Sequence, residues 1–320
     1  MKSKNELVNK TTALTFGADP EFFIEDVSSG DVVSAIDVLK VDKYDPIRLD
    51  EHTNLYYDNT MGEFTVRPAT SKEDFIKSIG SSLSLINDYL IKESEGRFKI
   101  KIKASHEFDP RFMEHPEANK IGCNPEYDAW DVCQIIPPDF SGARRSAGGH
   151  FAIARADQDR KKSLPLNDFD SVITLVKLLD YFVAVPFVLV DNDTTSLQRK
   201  TLYGRNLGAH RPKPEYPGLE YRLLSNYWIS SPKLVALIYD LATEAVNRYF
   251  NDDYKSIFKI KKEMARSAVI ENNKGLAEEI VAALNLPKHL TIRLNQLRDV
   301  KDLDVYSEWG LANSSKHLVS

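Results

Sequence analysis

Charged residues recur in this chain inside short, otherwise apolar segments. Asp19 and Glu21 lie in FGADPEFFIED, Glu63 in YYDNTMGEFTVRP, His150 in SAGGHFAIA, and Glu220 with Arg222 in PGLEYRLL. A strand turns successive side chains to opposite faces, so Asp19 and Glu21 share a face, as do Glu220 and Arg222. Strands distant in sequence can therefore pool these groups on one concave sheet face. A single charge in a strand ordinarily marks a solvated face. A set running from Asp19 to Arg222 points instead to a shared site for metal and phosphate.

At 320 residues the chain exceeds the size at which one core usually stops growing. One main body is expected over 1–230, with a mainly helical extension, 231–320, packed on it. The net charge of −5 leaves no basic footprint, which argues against nucleic acid as the main partner. The two cysteines, Cys123 and Cys133, fit neither a redox pair nor a paired zinc knuckle and read as ordinary reduced thiols. The opening MKSKNELVNKTTALTF has no apolar stretch of signal-peptide length, so a reducing cytoplasm is the expected compartment. The longest apolar run, Tyr181 to Val190, is interrupted by Pro186 and falls short of the roughly 20 residues a membrane helix needs. No membrane span is expected.

Thr15 to Leu39 reads as strand, turn at Ser28–Asp31, strand; Leu55–Asp58 and Glu63–Arg67 read as a second pair around Asn59–Gly62. Ser71 to Ile91 changes period, placing Phe75, Ile79, Leu83, Ile86 and Leu90 on one helical face behind an N-cap at Thr70 or Ser71. Phe98 to Ala104 is a strand with one wet face. Asp109 to Ser146 is irregular and too long for an idle connection, so it is expected to contact a substrate or nucleotide, with Asn124, Tyr127 and Trp130 as the selective contacts. Gly148–Ala154 is a strand, Leu166–Ala184 an apolar helix ending near Pro186, and Glu220–Leu224 the last strand of the site. Asp180, in the middle of that helix, is either a buried hydrogen-bonded acid or a site residue. Beyond Pro232 helices dominate, clearest at Lys233–Tyr249 and Gly275–Leu284. Strands and helices without strict alternation imply α+β, a curved antiparallel sheet with flanking helices.

Asp19, Glu21, Glu63, His150 and Glu220 suit Mg²⁺ or Mn²⁺ better than zinc, which prefers more nitrogen or sulfur. Arg222, two residues from Glu220, offers a bidentate phosphate contact, and Arg199, Lys200, Arg205 and Arg211 lie just before it, placed to fold over a triphosphate or acyl phosphate. The chain contains no GxxxxGK[ST], GxGxxG, HExxH or GxSxG.

The ordered set GADPEFF, GEFTVRP, AGGHF, LYG and GLEYRLLSNYW resembles the glutamine synthetase-like carboxylate–amine ligases, most of all their phage-encoded amidoligase branch, over roughly Phe16 to Trp228. The resemblance implies ATP and Mg²⁺ (or Mn²⁺) as cofactors and amide formation through an acyl phosphate. By the same resemblance Asp19, Glu21, Glu63, His150 and Glu220 are metal ligands, Arg222 a phosphate contact, and Arg199 or Arg205 the second phosphate cation. The reaction would rest chiefly on Glu63, Arg205 and Arg222. Its partners would be a small-molecule or peptide carboxylate and an amine, from amino acids to a protein terminus, a cell-wall precursor or a modified base. A phage-encoded chain would act in the host cytoplasm, and homo-oligomers are common among these relatives. Two departures stand out: Ala152 replaces the second histidine of a His-x-His pattern, and the first acid of the pair is Asp19 rather than Glu. The rival readings are a metal-dependent phosphotransferase or phosphohydrolase and a non-catalytic binding or assembly protein of the same fold.

Overall fold

Leu14–Asp26 alternates apolar and polar or small residues up to Asp19, and in the computed structural model it forms a strand, β1, with partners along its whole length. The structure describes residues 14–120, 126–136, 142–155, 166, 168–202, 206–213, 217–301 and 303–312. After β1 come β2 (Val32–Val33), β3 (Ile47–Arg48), β4 (Asn54–Asp58), β5 (Met61–Phe64), helix α1 (Lys72–Glu93), β6 (Phe98–Lys101) and β7 (Ser105–Glu107). Next are β8 (Glu126–Asp128), β9 (Cys133–Ile135), β10 (Arg144–Ser146), β11 (Gly149–Arg155) and helix α2 (Phe169–Leu179). A π-helical turn, Asp180–Ala184, carries α2 into α3 (Val185–Val190); α4 (Ser196–Leu202), β12 (Ala209–Lys213), β13 (Gly218–Tyr221) and α5 (Pro232–Phe250) follow. Helices α6 (Lys262–Ile270), α7 (Lys274–Ala283) and α8 (Lys288–Arg298) complete the main elements.

The large sheet runs β3-β4-β5-β1-β11-β13-β12-β8-β9, with β2 and β6 also on β1. Its pairs are antiparallel, and helices flank it, as the α+β reading expects. One face is apolar: Phe16, Phe22, Phe64, Phe151, Leu219 and Tyr221 are buried toward the helices, with Phe16 against Phe75 of α1 and Tyr239 of α5. The core on this side is continuous through α5, α7 and α8, so the helices beyond Pro232 pack into the same body as the strands. On the other face, near the end of β1, Phe23, Val32, Met61, Phe108 and Ala147 form a second small cluster.

Local chemistry explains several boundaries and two departures. Ser71 caps α1 by accepting from Asp74 N–H at 3.1 Å. The second arm of the first hairpin stops at Val33, and Ala35–Leu39 turns helical rather than extended. The second hairpin turns through Asn59 and Thr60 alone, with Asn59 in the left-handed region, φ 59°, that asparagine tolerates. The apolar helix does not end near Pro186. The π turn, closed by Val185 N–H to Asp180 O, sets the proline in the first turn of α3, where its missing N–H costs little. The resulting Phe169–Val190 helix is long and apolar enough to cross a membrane, but it is nearly all buried inside the fold. It is a core helix.

Two glycines permit contacts that a side chain would block. A Cβ on Gly62 would lie 2.5 Å from Phe22 Cζ, and one on Gly149 would lie 2.1 Å from Trp228 Nε1 and 2.4 Å from Ser225 O. Trp228 cannot yield readily, because it donates to Gly149 O at 3.0 Å and stacks on Phe75 at 6.0 Å. Gly149→Ala is expected to lower stability by about 2–3 kcal/mol, an overpacking cost, read by urea denaturation. A second prediction concerns acid. Asp26, held by the Ser28 hydroxyl at 2.6 Å and by Arg97 Nε at 2.8 Å, has its carboxyl pulled down to about 2 against burial. A depressed folded value stabilises the protein above the unfolded carboxylate range and loses that contribution as pH falls from about 4 toward 2. Asp26→Asn should therefore destabilise at pH 6 by about 1–2 kcal/mol and converge with wild type near pH 2 in a pH series of melting curves.

Candidate functional site

The registers settle which charges share a face. Asp19 stands opposite His150, Glu21 opposite Glu63, and Glu220 opposite both Ala152 and Arg211. Directly opposed residues point the same way, and so do neighbours two apart. The face away from the helices therefore carries, in order across the sheet, Asp58 and Glu63, Glu21 and Asp19, His150, Glu220, and then Arg211 with Lys213. Arg222, just past β13 and tied to β12 by its N–H to Ala209 O at 3.1 Å, continues the row.

At one end carboxylate oxygens of Glu21, Asp58 and Glu63 lie within 4.8 Å of one another. Burial, then Asp58, Asp19 and Glu21, holds the Glu63 carboxyl well above its ordinary range. Glu21 also accepts the Gly148 N–H at 2.6 Å, which fixes one of its oxygens. Three buried or half-buried acids gathered this closely, with Glu63 raised among them, could hold a cation. The donor set is all oxygen, which fits Mg²⁺ or Mn²⁺ and not zinc. Of the expected metal ligands, Glu21 and Glu63 are brought together here, with Asp58 as the third member of the cluster. Asp19, His150 and Glu220 lie further along the same face.

Asp19 stands between the two halves of the row. Burial and the neighbouring Glu220 push its carboxyl up to about 7, while Lys213, Arg222 and Arg211 pull against them. Glu220 is wholly buried and sits among three cations, Arg222, Lys213 at 2.5 Å and Arg211 at 3.5 Å, with the His150 ring nitrogen Nδ1 at 3.8 Å. Burial alone would raise its carboxyl, but Arg222, Arg211 and Lys213 outweigh that and hold it low. Arg222 spans two acids, giving Nε to Glu126 at 2.5 Å and Nη1 to Glu220. A guanidinium fork serves both at once.

The remaining expected cations divide. Arg199 of α4 is buried and donates to Ser146 Oγ at 3.0 Å and to Arg222 O at 3.4 Å. It packs with His150 over Gly148, where a Cβ would meet His150 Nε2 at 2.4 Å and Arg199 Nη2 at 2.9 Å. Lys200, next along the helix, lies beside the buried Asp191. Arg205 and Asn124 lie outside the described residues. Of the other two loop residues, Tyr127 turns to the helix side, opposite His210, and Trp130 reaches Asp180.

Sequence reasoning missed Asp58, Glu126 and Lys213, and each had a signal. Asp58 precedes a two-residue turn and pairs with Met61, two residues before Glu63, so it shares Glu63's face. Glu126 lies in an acid-x-acid pattern with Asp128, hidden in a stretch read as irregular. Lys213 alternates with Arg211.

Residues 166–291 match the model of a family described as Phage phiEco32-like COOH-NH2 ligase-type 2. The chain is similar to the phage-type carboxylate–amine ligases. The resemblance seen in the sequence is borne out over that stretch, where the matching model is that of a carboxylate–amine ligase family. The match takes in Arg199, Arg211, Lys213, Glu220 and Arg222 and runs on past Trp228 through the helices to residue 291, beyond the reach of the sequence motifs. Among solved structures, a bifunctional glutathione synthetase from Pasteurella multocida superposes with a TM-score of 0.48 at 11% identity, covering 96% of this chain and 49% of its own. A glutamine synthase homologue superposes with a TM-score of 0.38 at 13% identity, covering 96% of this chain and 74% of its own. The chain thus spans about half the length of the first. No curated protein matches.

The geometry of the acid trio gives a direct test. Titration with Mn²⁺ alone, followed by electron paramagnetic resonance, should show affinity falling at least tenfold in Asp58→Asn and in Glu63→Gln. Unchanged Mn²⁺ affinity in both variants would remove the trio as a cation site.

Proposed function

We propose that this chain joins a carboxylate to an amine at the expense of ATP, with Mg²⁺ or Mn²⁺, through an acyl phosphate. The observation that carries the reading is the ordering of charge on one sheet face: Glu21, Asp58 and Glu63 converge at one end, and Arg211, Lys213 and Arg222 gather at the other. That order complements a metal–polyphosphate, whose cation seeks oxygen donors and whose phosphates seek guanidinium and ammonium groups. A divalent ion held by Glu21, Asp58 and Glu63 would offset the charge of the γ-phosphate.

The chain's own residues supply positioning and electrostatics. Arg222, Arg211 and Lys213 line the side on which the phosphates would lie, with Glu220 and Glu126 holding the cationic groups in place. The substrate carboxylate attacks the γ-phosphorus and ADP leaves; the amine then attacks the acyl carbon and inorganic phosphate leaves. No covalent protein intermediate is needed, because in-line placement and charge stabilisation supply most of the rate in phosphoryl transfer. The main body is proposed to be 1–230, with the helices after it buttressing the sheet. The carboxylate and amine belong to small molecules or a peptide.

Thermal unfolding with Mg²⁺ and a non-hydrolysable ATP analogue tests the site. At ligand near 100 times Kd the stabilisation should be about 2.7 kcal/mol, lost on chelation and in Glu63→Gln. Amine-dependent ADP release then separates a ligase from a phosphohydrolase, which would release phosphate from ATP without an amine. Arg222→Lys should reduce that turnover by more than tenfold, since one ammonium cannot serve Glu126 and Glu220 together. Absence of any metal-dependent shift in wild type would overturn the nucleotide site.

A further inference from the structure

Asp180 is a wholly buried acid at the first position of the π-helical turn, on the helix side of the sheet, and the reaction above makes no direct use of it. Its Oδ1 accepts the Tyr221 hydroxyl at 2.7 Å and its Oδ2 accepts Trp130 Nε1 at 2.6 Å. The Gly208 N–H is a third donor to the same carboxylate. The three donors come from three segments. Tyr221 lies between Glu220 and Arg222, Gly208 immediately precedes β12 with Arg211 and Lys213, and Trp130 follows β8, which ends two residues after Glu126.

We propose that Asp180 is a positioning residue whose carboxylate ties these three segments together from behind the sheet, so that Arg211, Lys213 and Arg222 meet the polyphosphate on the front. The proposal rests on the ligase reading for its ligand. Its geometry is independent of that reading. The turns at Gly208 and Trp130 approach so closely that a Cβ on Gly208, φ +84°, would lie 2.7 Å from Ala129 N and 2.9 Å from Trp130 Cδ1. Ala129 N–H donates to Gly208 O at 3.0 Å, and Asp128 Oδ1 accepts Trp130 N–H at 2.6 Å and Asp131 N–H at 3.0 Å. The Trp130 ring has Lys177 Nζ 5.1 Å and Lys262 Nζ 5.8 Å from its centroid, with Tyr181 edge-on at 5.9 Å. A leucine or methionine would fill this part of the core without the desolvation cost of an acid, so packing alone does not call for a carboxylate here. π turns of this kind recur at functional sites, where they re-aim a side chain out of the regular helical pattern.

The test compares wild type with Asp180→Ala, Asp180→Asn and Trp130→Phe as full-length chains. Mn²⁺ alone reports the acid trio, and Mg·ATP reports the trio and the cationic wall together. The positioning role predicts Mn²⁺ affinity within about twofold of wild type in all three variants. Mg·ATP affinity should fall about tenfold in Asp180→Ala and less in Asp180→Asn, whose amide keeps one acceptor oxygen and can donate to the Tyr221 hydroxyl. General loosening of the fold would weaken both ligands alike, and that result overturns the proposal. So does Mg·ATP affinity equal to wild type in every variant that folds. If Asp180→Ala does not fold, Trp130→Phe decides, because it removes one donor and leaves the carboxylate in place. Hydrogen exchange separates the two readings: a wild type that binds no Mg·ATP overturns the ligase. The tie itself still requires faster exchange at Ala209–Lys213 in Trp130→Phe with β4 and β5 unchanged, and uniform exchange overturns it.

Discussion

The antiparallel register of β1 with β5 and β11 is the constraint on which the rest of the structure depends. A sheet has a period of two, so a slip of one residue would send Phe16, Phe22 and Ile24 to the charged face and Asp19 and Glu21 into the helical core. Either half of that inversion is prohibitive. Each large apolar side chain contributes about 1.5–3 kcal/mol by leaving water, and each acid moved into the core would cost several kcal/mol. The apolar face and the charged face therefore enforce the same register. The backbone around Gly148 and Gly149 reinforces it, because Glu21 Oε2 accepts the N–H of Gly148 and Trp228 donates to the carbonyl of Gly149.

Within that frame the two ends of the charged face solve different electrostatic problems. Glu220, Arg222, Glu126, Lys213 and Arg211 are buried or half-buried but mutually paired, so their desolvation is offset inside the protein. At the other end carboxylate oxygens of Glu21, Asp58 and Glu63 lie within 4.8 Å of one another, and burial with the charges of Asp58, Asp19 and Glu21 raises the Glu63 carboxyl. A divalent ion bound there, as proposed, would offset the neighbouring charge that raises Glu63.

Much of this was legible in the sequence because local rules and tertiary demands agree. Helices α1 and α5 follow their apolar periodicity, and Ser71 caps α1 where its position indicates. The acid-x-acid and Glu-x-Arg spacings told which side chains share a face, since alternation is a property of one strand. What sequence could not supply is which strands meet. Asp58 escaped notice because its claim depends on the β4–β5 register and on β5 lying beside β1, and Glu126 because β8 is three residues long in a stretch without periodicity. Pro186 misled for a different reason. The rule that proline stops a helix holds for α-helical hydrogen bonding, and the π turn before it changes which donor is missing.

The same π turn shows how the back of a sheet can govern its front. Tyr221 points into the core because Glu220 and Arg222, on either side of it, point out; no arrangement of a strand allows otherwise. Any group that anchors Tyr221 therefore anchors the two charged residues without touching the ligand. Asp180 is placed to do this, and a carboxylate can accept from Tyr221, Trp130 and Gly208 together, which an amide or hydroxyl of similar size cannot. The acid buried in the core and the charges on the sheet face then belong to one construction, joined through alternation along β13 and the strands beside it.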